Sequence, residues 1–168
     1  MSAATNSFSP EANLPVRIAQ NADAEAITQL INAAFVVERV AFDGDRTDTQ
    51  GVREFMKKGT FLLAEDTTGL SGCVYVEILA ERSYLGLLSV SPPSQGTGLG
   101  RQLVAAAEKY ARAAPCYAMD LRIISPRAQV LLPFYLHLGY ARTGTAPLPP
   151  EANPKVPCHY ITMAKALR

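Results

Sequence analysis

The sequence predicts an α+β (mixed α/β) fold: one mixed sheet with helices on both faces. Three observations carry this. Strand and helix patterns interleave in the order β-α-α-β-β-β-α-β-α-β. Three strand-like runs follow one another from Phe61 to Val90 with only turns between them. Two helical patterns then flank a single strand between Gly98 and Leu138. At 168 residues, 48% apolar and 18% charged, the chain suits one domain with a full core.

Each element has a local reason. Val16-Arg17-Ile18 is a short strand. Asn21 or Asp23 caps a helix whose stripe is Ala26, Ile27, Leu30, Ile31 and Ala34. The pattern breaks from Phe35 to Thr49, then a short helix runs over Thr49–Lys58 and Gly59 ends it. Phe61–Ala64 is a strand, and Thr67-Thr68-Gly69 turns it into Leu70–Leu79. Glu81-Arg82-Ser83 turns that strand into Tyr84–Val90. A helix over Gly98–Ala113 shows Leu99, Leu103, Val104, Ala107 and Tyr110 on one face. Strand Tyr117–Ile124 and helix Arg127–Leu138 follow, with Gly139 past the helix end. Pro147, Pro149, Pro150, Pro154 and Pro157 make a long loop before the last strand, His159–Lys165.

Composition narrows the function. A formal net charge of +1, with Lys and Arg scattered, argues against nucleic acid as a partner. No apolar stretch approaches the roughly 20 residues of a membrane span, so no membrane partner is expected. Residues 1–13 lack a charged start followed by an apolar run; they read as a flexible tail ahead of a domain over 14–168. Cys73, Cys116 and Cys158 are odd in number and widely spaced, which argues against disulfides and a metal site and for a cytoplasmic location.

The segment Tyr84–Tyr140 carries the chemistry. After the Tyr84–Val90 strand comes Gln95-Gly96-Thr97-Gly98-Leu99-Gly100, and Arg101 opens the long helix. A glycine-rich turn at a helix start presents backbone N–H groups and the positive dipole end, an anion site suited to pyrophosphate. A Walker A loop fails, because Arg101-Gln102 follows the last glycine. A dinucleotide fingerprint has Gly96 and Gly98, with Asp120 about 20 residues on, but Arg101 replaces its third glycine and Ser91–Gln95 separate it from the strand. The third pattern is Q-x-x-G-x-G, met by Gln95, Gly98 and Gly100, with Phe134-Tyr135-x-x-x-Gly139-Tyr140 downstream. Together these motifs resemble the acyl-CoA-binding core of the GNAT acetyltransferase superfamily, and the likeness runs more weakly over Val16–Leu167.

The resemblance implies about seven strands, mostly antiparallel, split between the fourth and fifth, Tyr84–Val90 and Tyr117–Ile124. It implies acetyl-CoA as co-substrate, its pantetheine arm pairing with Leu88, Ser89 and Val90 like an added strand, and an N–H of that strand polarising the thioester. The pyrophosphate would rest on Gln95, Gly96, Thr97, Gly98, Leu99, Gly100 and Arg101. Tyr135 stands where the family's tyrosine protonates the leaving thiolate. Relatives often carry Asn seven residues before it; this chain has Ala128, so that asparagine–cofactor hydrogen bond is absent.

The acceptor side is read from scattered residues. Glu77 is a candidate base, acting through water, and Ser89 is the polar side chain nearest the expected thioester. Cys73 reads as a structural thiol rather than an acyl carrier. Glu38, Asp43, Asp45 and Asp48, with Arg39 and Arg46, form a loop that reads as an acidic mouth for a cationic amine, as Arg46 for a substrate carboxylate, or as a solvated loop. His159 borders the same region, and His137 reads as surface. The expected activity is N-acetylation of a small-molecule or peptide amine by direct attack in a ternary complex. A non-catalytic acyl-CoA-binding module and a dinucleotide-binding oxidoreductase are the alternatives. The oligomeric state is open, a homodimer being common in the family.

Overall fold

The computed structural model describes residues 13–168, so the expected tail lies outside the described residues except for Asn13. The strands are β1 (Val16–Ile18), β2 (Thr60–Asp66), β3 (Gly69–Leu79), β4 (Arg82–Val90), β5 (Ala118–Ile124), β6 (Ala141–Ala146) and β7 (Tyr160–Ala166). The helices are α1 (Ala24–Ala34), α2 (Thr49–Lys58), α3 (Leu99–Ala113) and α4 (Ala128–His137). The sheet order is β1-β2-β3-β4-β5-β7-β6, and only β4 and β5 run parallel. This is the mixed, mostly antiparallel sheet that was expected. A doubly wound parallel sheet, which a dinucleotide-binding reading requires, is not what the chain forms.

Helices cover both faces and make two cores. Leu99, Leu103, Val104, Ala107 and Ala111 of α3 pack with Val74, Val76, Leu85, Met119 and Leu121, and Tyr135 of α4 joins this core. Ile27, Leu30 and Ile31 of α1 and Val52 of α2 pack on Phe61, Leu63, Cys73, Tyr75 and Leu87. The helices thus present apolar stripes at the 3.6-residue period to a sheet whose side chains alternate with period two.

Two local expectations need correcting. Ala141–Ala146 (ARTGTA) is an edge strand, β6, where the proline-rich loop was expected to begin. It has no apolar alternation, and its order comes from hydrogen bonding to β7. The β3–β4 turn is Ala80-Glu81, with Ala80 at φ 57°, so Arg82 and Ser83 already belong to the strand. Arg82 is held there by Asp120, and buried Ser83 donates to the Ala118 carbonyl at 3.0 Å. The loop before β7 is tied down: the Lys155 amide donates to the Ala41 carbonyl at 2.7 Å, and its ammonium lies 3.1 Å from Asp43.

β4 carries an irregularity that matters for the site. Cys73 pairs with Ser89 but Tyr75 pairs with Gly86, so β4 has one more residue than β3 across this stretch, a β-bulge. Leu87 has φ 50°, a left-handed conformation rare for a branched residue. The bulge resets the alternation: Leu85 faces the α3 core, Leu87 the α1 core, and Leu88 and Val90 the α3 side again. The Leu87 carbonyl accepts from the Ser89 hydroxyl at 2.9 Å and from the Cys73 thiol at 3.9 Å.

Candidate active site

The parallel pairing of β4 and β5 covers only Arg82↔Ala118, Ser83↔Met119 and Tyr84↔Asp120. β4 runs on to Val90 and β5 to Ile124 without pairing to each other. The sheet is therefore split over the length of Leu85–Val90, with backbone edges facing the gap, and the bulge at Leu87–Leu88 lies within that length. Such an edge can accept an extended chain as an added strand.

At the same end stands the glycine turn. A single turn at Pro92–Ser94 leaves β4, and Gln95 ties the loop back by donating its side-chain N–H to the Val90 carbonyl at 3.2 Å. Thr97 donates its hydroxyl to the Ser94 carbonyl at 2.6 Å. Gly98 is the N-cap of α3 at φ 86°, and Gly96 has φ 77°. These two positions need glycine for conformation. Gly100 is different: a Cβ there would lie 3.5 Å from Phe134 Cζ and 3.9 Å from Val90 Cγ2, so it marks where α3 meets α4 and β4. Among the described residues no acceptor takes the amide hydrogens of Gly96 through Gly100. They form a concave set of donors at the start of a 15-residue helix.

The second motif explains itself through the end of α4. Gly139, at φ 93°, reverses the chain, so that the Tyr140 amide donates to the Tyr135 carbonyl at 3.0 Å. The Tyr135 and Tyr140 rings then meet edge to face at 5.8 Å, and Phe134 packs edge-on to Tyr135 at 4.9 Å. Tyr140 is anchored by buried Glu108 of α3 at 3.1 Å, and Lys165 of β7 holds the same carboxylate at 2.9 and 3.1 Å. Tyr135 is thus fixed from its backbone and from two ring neighbours.

Tyr135 is 6% exposed. Its hydroxyl bonds to no described residue, and since no fully occluded side-chain oxygen among the described residues lacks a partner, it is not wholly shut off. Burial first, and the Tyr84 hydroxyl second, push its phenol above the ordinary value. Tyr84 sits at the last β4–β5 pair with its ring on the α1 side, whereas the Tyr135 ring belongs to the α3 core. Tyr135 and Tyr84 thus approach the end of the β4–β5 pairing from opposite faces of the sheet.

The other expected residues fall as follows. Ser89 is fully buried, with its hydroxyl spent on the Leu87 carbonyl. Leu88 and Val90 line the α3 side of the split strand. Glu77 lies opposite Tyr84 on β3 and accepts the Tyr75 hydroxyl at 2.8 Å. Glu38 is desolvated, which raises its carboxyl above the usual range, with Arg46 and Arg127 opposing. Asp43 pairs with Lys155, Asp45 with Arg39 at 3.5 Å, and Asp48 caps α2 by accepting the Gly51 amide at 2.7 Å. Arg46 lies over the Phe35 ring at 5.7 Å. His159 is exposed, and its amide donates to Ser125 Oγ at 3.1 Å. Burial pushes the Cys73 thiol up to about 12, so it holds no thiolate at neutral pH.

Residues the sequence left unmarked also line this region. Arg122 of β5 lies over the rings of Tyr84 at 5.4 Å and Tyr160 at 4.7 Å. Nothing in the chain's periodicity marks these three as neighbours; only the register of β4, β5 and β7 does. A shallow cavity of about 210 Å³, lined by Lys57, Lys58, Thr60, Ile78 and Tyr110 among others, lies at the C-terminal ends of α2 and α3 and includes none of these residues. Among the described residues no cluster of His, Cys, Asp and Glu is placed to hold a metal, and no helix is long and apolar enough to cross a membrane.

Known proteins share this fold. The ribosomal-protein-alanine N-acetyltransferase of Brucella melitensis superposes with a TM-score of 0.74 at 19% identity, covering 91% of this chain and 99% of that one. The ribosomal-protein-S18-alanine N-acetyltransferase of Escherichia coli gives 0.72 at 13% identity, covering 92% and 94%. The yncA protein of Salmonella typhimurium, assigned as an acetyltransferase and solved with its cofactor acetyl-CoA, gives 0.71 at 23% identity, covering 94% and 95%. The model of the acetyltransferase (GNAT) domain matches residues 18–148, most of the sequence. With that match, a split sheet and a glycine turn of open amides at its mouth, the chain belongs to the GNAT acetyltransferase family, whose activity is acyl transfer from an acyl-CoA.

Proposed function

We propose that the protein is an N-acetyltransferase that moves the acetyl group of acetyl-CoA onto an amine by direct attack. The observation that carries this is the convergence at one end of the sheet of the split, the glycine turn and the Phe134-Tyr135 pair of α4, which packs against Gly100. The residues present fit the co-substrate: open amides for a pyrophosphate, unpaired strand edges for a pantetheine arm, and a phenol for the departing sulfur.

In this reading the amides of Gly96 to Gly100 hold the pyrophosphate, with Arg101 at the same helix start. The edge of Leu88–Val90 aligns the arm, and an amide of the interrupted Leu87–Leu88 stretch polarises the thioester carbonyl. The amine nitrogen attacks the carbonyl carbon, the C–S bond breaks, and Tyr135 gives its proton to the sulfur. Burial disfavours a thiolate beside Tyr135 as it disfavours a phenolate, which keeps donor and acceptor matched. Solvent restores the proton to Tyr135 once the products have left. Glu77 takes the proton lost by the amine through a water molecule.

An acceptor screen by free-thiol release tests this. Acetyl-CoA with a panel of amines should release CoA thiol together with one N-acetylated product. Tight acetyl-CoA binding without thiol release from any amine class would instead make the protein a binding module.

A further inference from the structure

The acceptor class can be narrowed, on the footing of the acyl-transfer reading. Arg122 pairs with Thr162 of β7 and stands two residues beyond Asp120, where β4 and β5 part. It shares a sheet face with Tyr84 and Asp120, since side chains two apart point the same way. α1 and α2 cover this face only over β2, β3 and β4. Arg122 therefore borders the split on the face opposite α3, outside the helices' cover.

Its guanidinium is held but not neutralised. Tyr84 and Tyr160 flank it, and its Nε donates to the Tyr84 hydroxyl at 3.4 Å. Among the described residues no carboxylate forms an ion pair with it, whereas Asp120, two residues away on the same face, is taken by Arg82 at 2.5 and 2.7 Å. Glu77 is engaged by the Tyr75 hydroxyl. Aromatic contact organises a guanidinium while leaving its N–H edge for a bidentate acceptor. The planar fork matches the two oxygens of a carboxylate. Rows on one strand face lie roughly 7 Å apart. An amine beside the Glu77–Tyr84 row can thus belong to the same small molecule as a carboxylate at Arg122.

We infer that Arg122 anchors a carboxylate of the acceptor, so that the acceptors are amino acids or other amines bearing a carboxylate close to the nitrogen. Lys in its place would keep the charge and lose the fork.

The test pairs each L-amino acid with its primary amide. Wild type should favour the best free acid over its amide by roughly 10- to 100-fold in kcat/KM, the range for a charge-assisted hydrogen-bonded contact. In Arg122→Gln that ratio should fall toward one with the acetyl-CoA KM held, and Arg122→Lys should recover part of it. Equal use of acid and amide by wild type, or an unchanged ratio in Arg122→Gln, overturns the anchor. Preference for amines without a carboxylate also overturns it while leaving N-acetylation standing. Saturation-transfer NMR of the same pairs on CoA-loaded protein reads the anchor without turnover. Acid-selective binding lost in Arg122→Gln supports it even if no amine is acetylated, and binding without selectivity refutes it.

Discussion

The two sides of the split are built differently. The side expected to hold acetyl-CoA is made by neighbours in sequence: Gln95 to Arg101 form one turn, and Phe134 to Tyr140 close one helix. Its donors are backbone amides, aimed by the left-handed conformations of Gly96 and Gly98. The side proposed for the acceptor draws on strangers: Glu77, Tyr84, Arg122 and Tyr160 come from four strands, and Glu38 from the 3-10 helix Phe35–Val40. Its groups are side chains, aimed by register. Backbone sites leave a pattern in the sequence, whereas side-chain sites leave only residues.

The predictions sharpen that contrast, beginning with the largest effect. Tyr135→Phe keeps the ring contacts with Phe134 and Tyr140 and removes only the hydroxyl. Steady-state kinetics should show kcat lower by about 10²-fold with the acetyl-CoA KM nearly unchanged. Full kcat would make the residue a packing element and take the proton source elsewhere.

Gly98→Val tests the backbone side. A branched residue at φ 86° should cost about 1–2 kcal/mol in chemical denaturation. It should also raise the acetyl-CoA KM by about tenfold or more, because the anion donors move. Gly100→Ala separates space from conformation. Its Cβ would meet Phe134 at an ordinary 3.5 Å. Denaturation should show equal stability or a gain of up to about 1 kcal/mol from helix propensity, with acetyl-CoA KM altered far less than in Gly98→Val.

Alkali probes the buried phenols that brace both sides. Tyr75, Tyr135 and Tyr140 all have pKa values raised in the fold, mainly by burial. The folded state therefore holds these protons more tightly than the unfolded chain does. Their contribution is complete below the unfolded phenol value near ~10 and is lost as pH rises above it. Melting temperature should be flat with respect to these groups at neutral pH and fall steeply above about pH 10; a Tyr140→Phe variant should soften that fall.

The smallest effect is expected at the loop between α1 and α2. Asp43 and Asp45 already face Lys155 and Arg39, and such exposed pairs are worth about 0–1 kcal/mol. Asp43→Asn with Asp45→Asn should change the acceptor KM by less than about threefold. A larger rise, mimicked by salt, would return the loop to the part of an acidic mouth for a cationic amine.

Legibility in the sequence followed the same divide. Helices with apolar stripes and strands buried on both faces were readable because burial writes a period. β6 was not, since ARTGTA at an exposed edge buries little. The bulge had only a faint mark, the Leu87-Leu88 pair after Gly86, which breaks the alternation begun at Leu85. Arg122 had none: a lone arginine in a strand looks like any solvated one until Tyr84 and Tyr160 arrive from other strands.

The extra residue of β4 has one more consequence. Removing Leu87 would leave Gly86 facing the α1 side, Leu88 the α3 side and Ser89 the α1 side, a regular ladder that keeps the α3 core and costs the α1 core one leucine. The ladder itself does not require it. A chain shortened by that one residue would therefore be an instructive deletion: a regular β3–β4 ladder beside the same split, in which architecture and chemistry come apart at a single peptide unit.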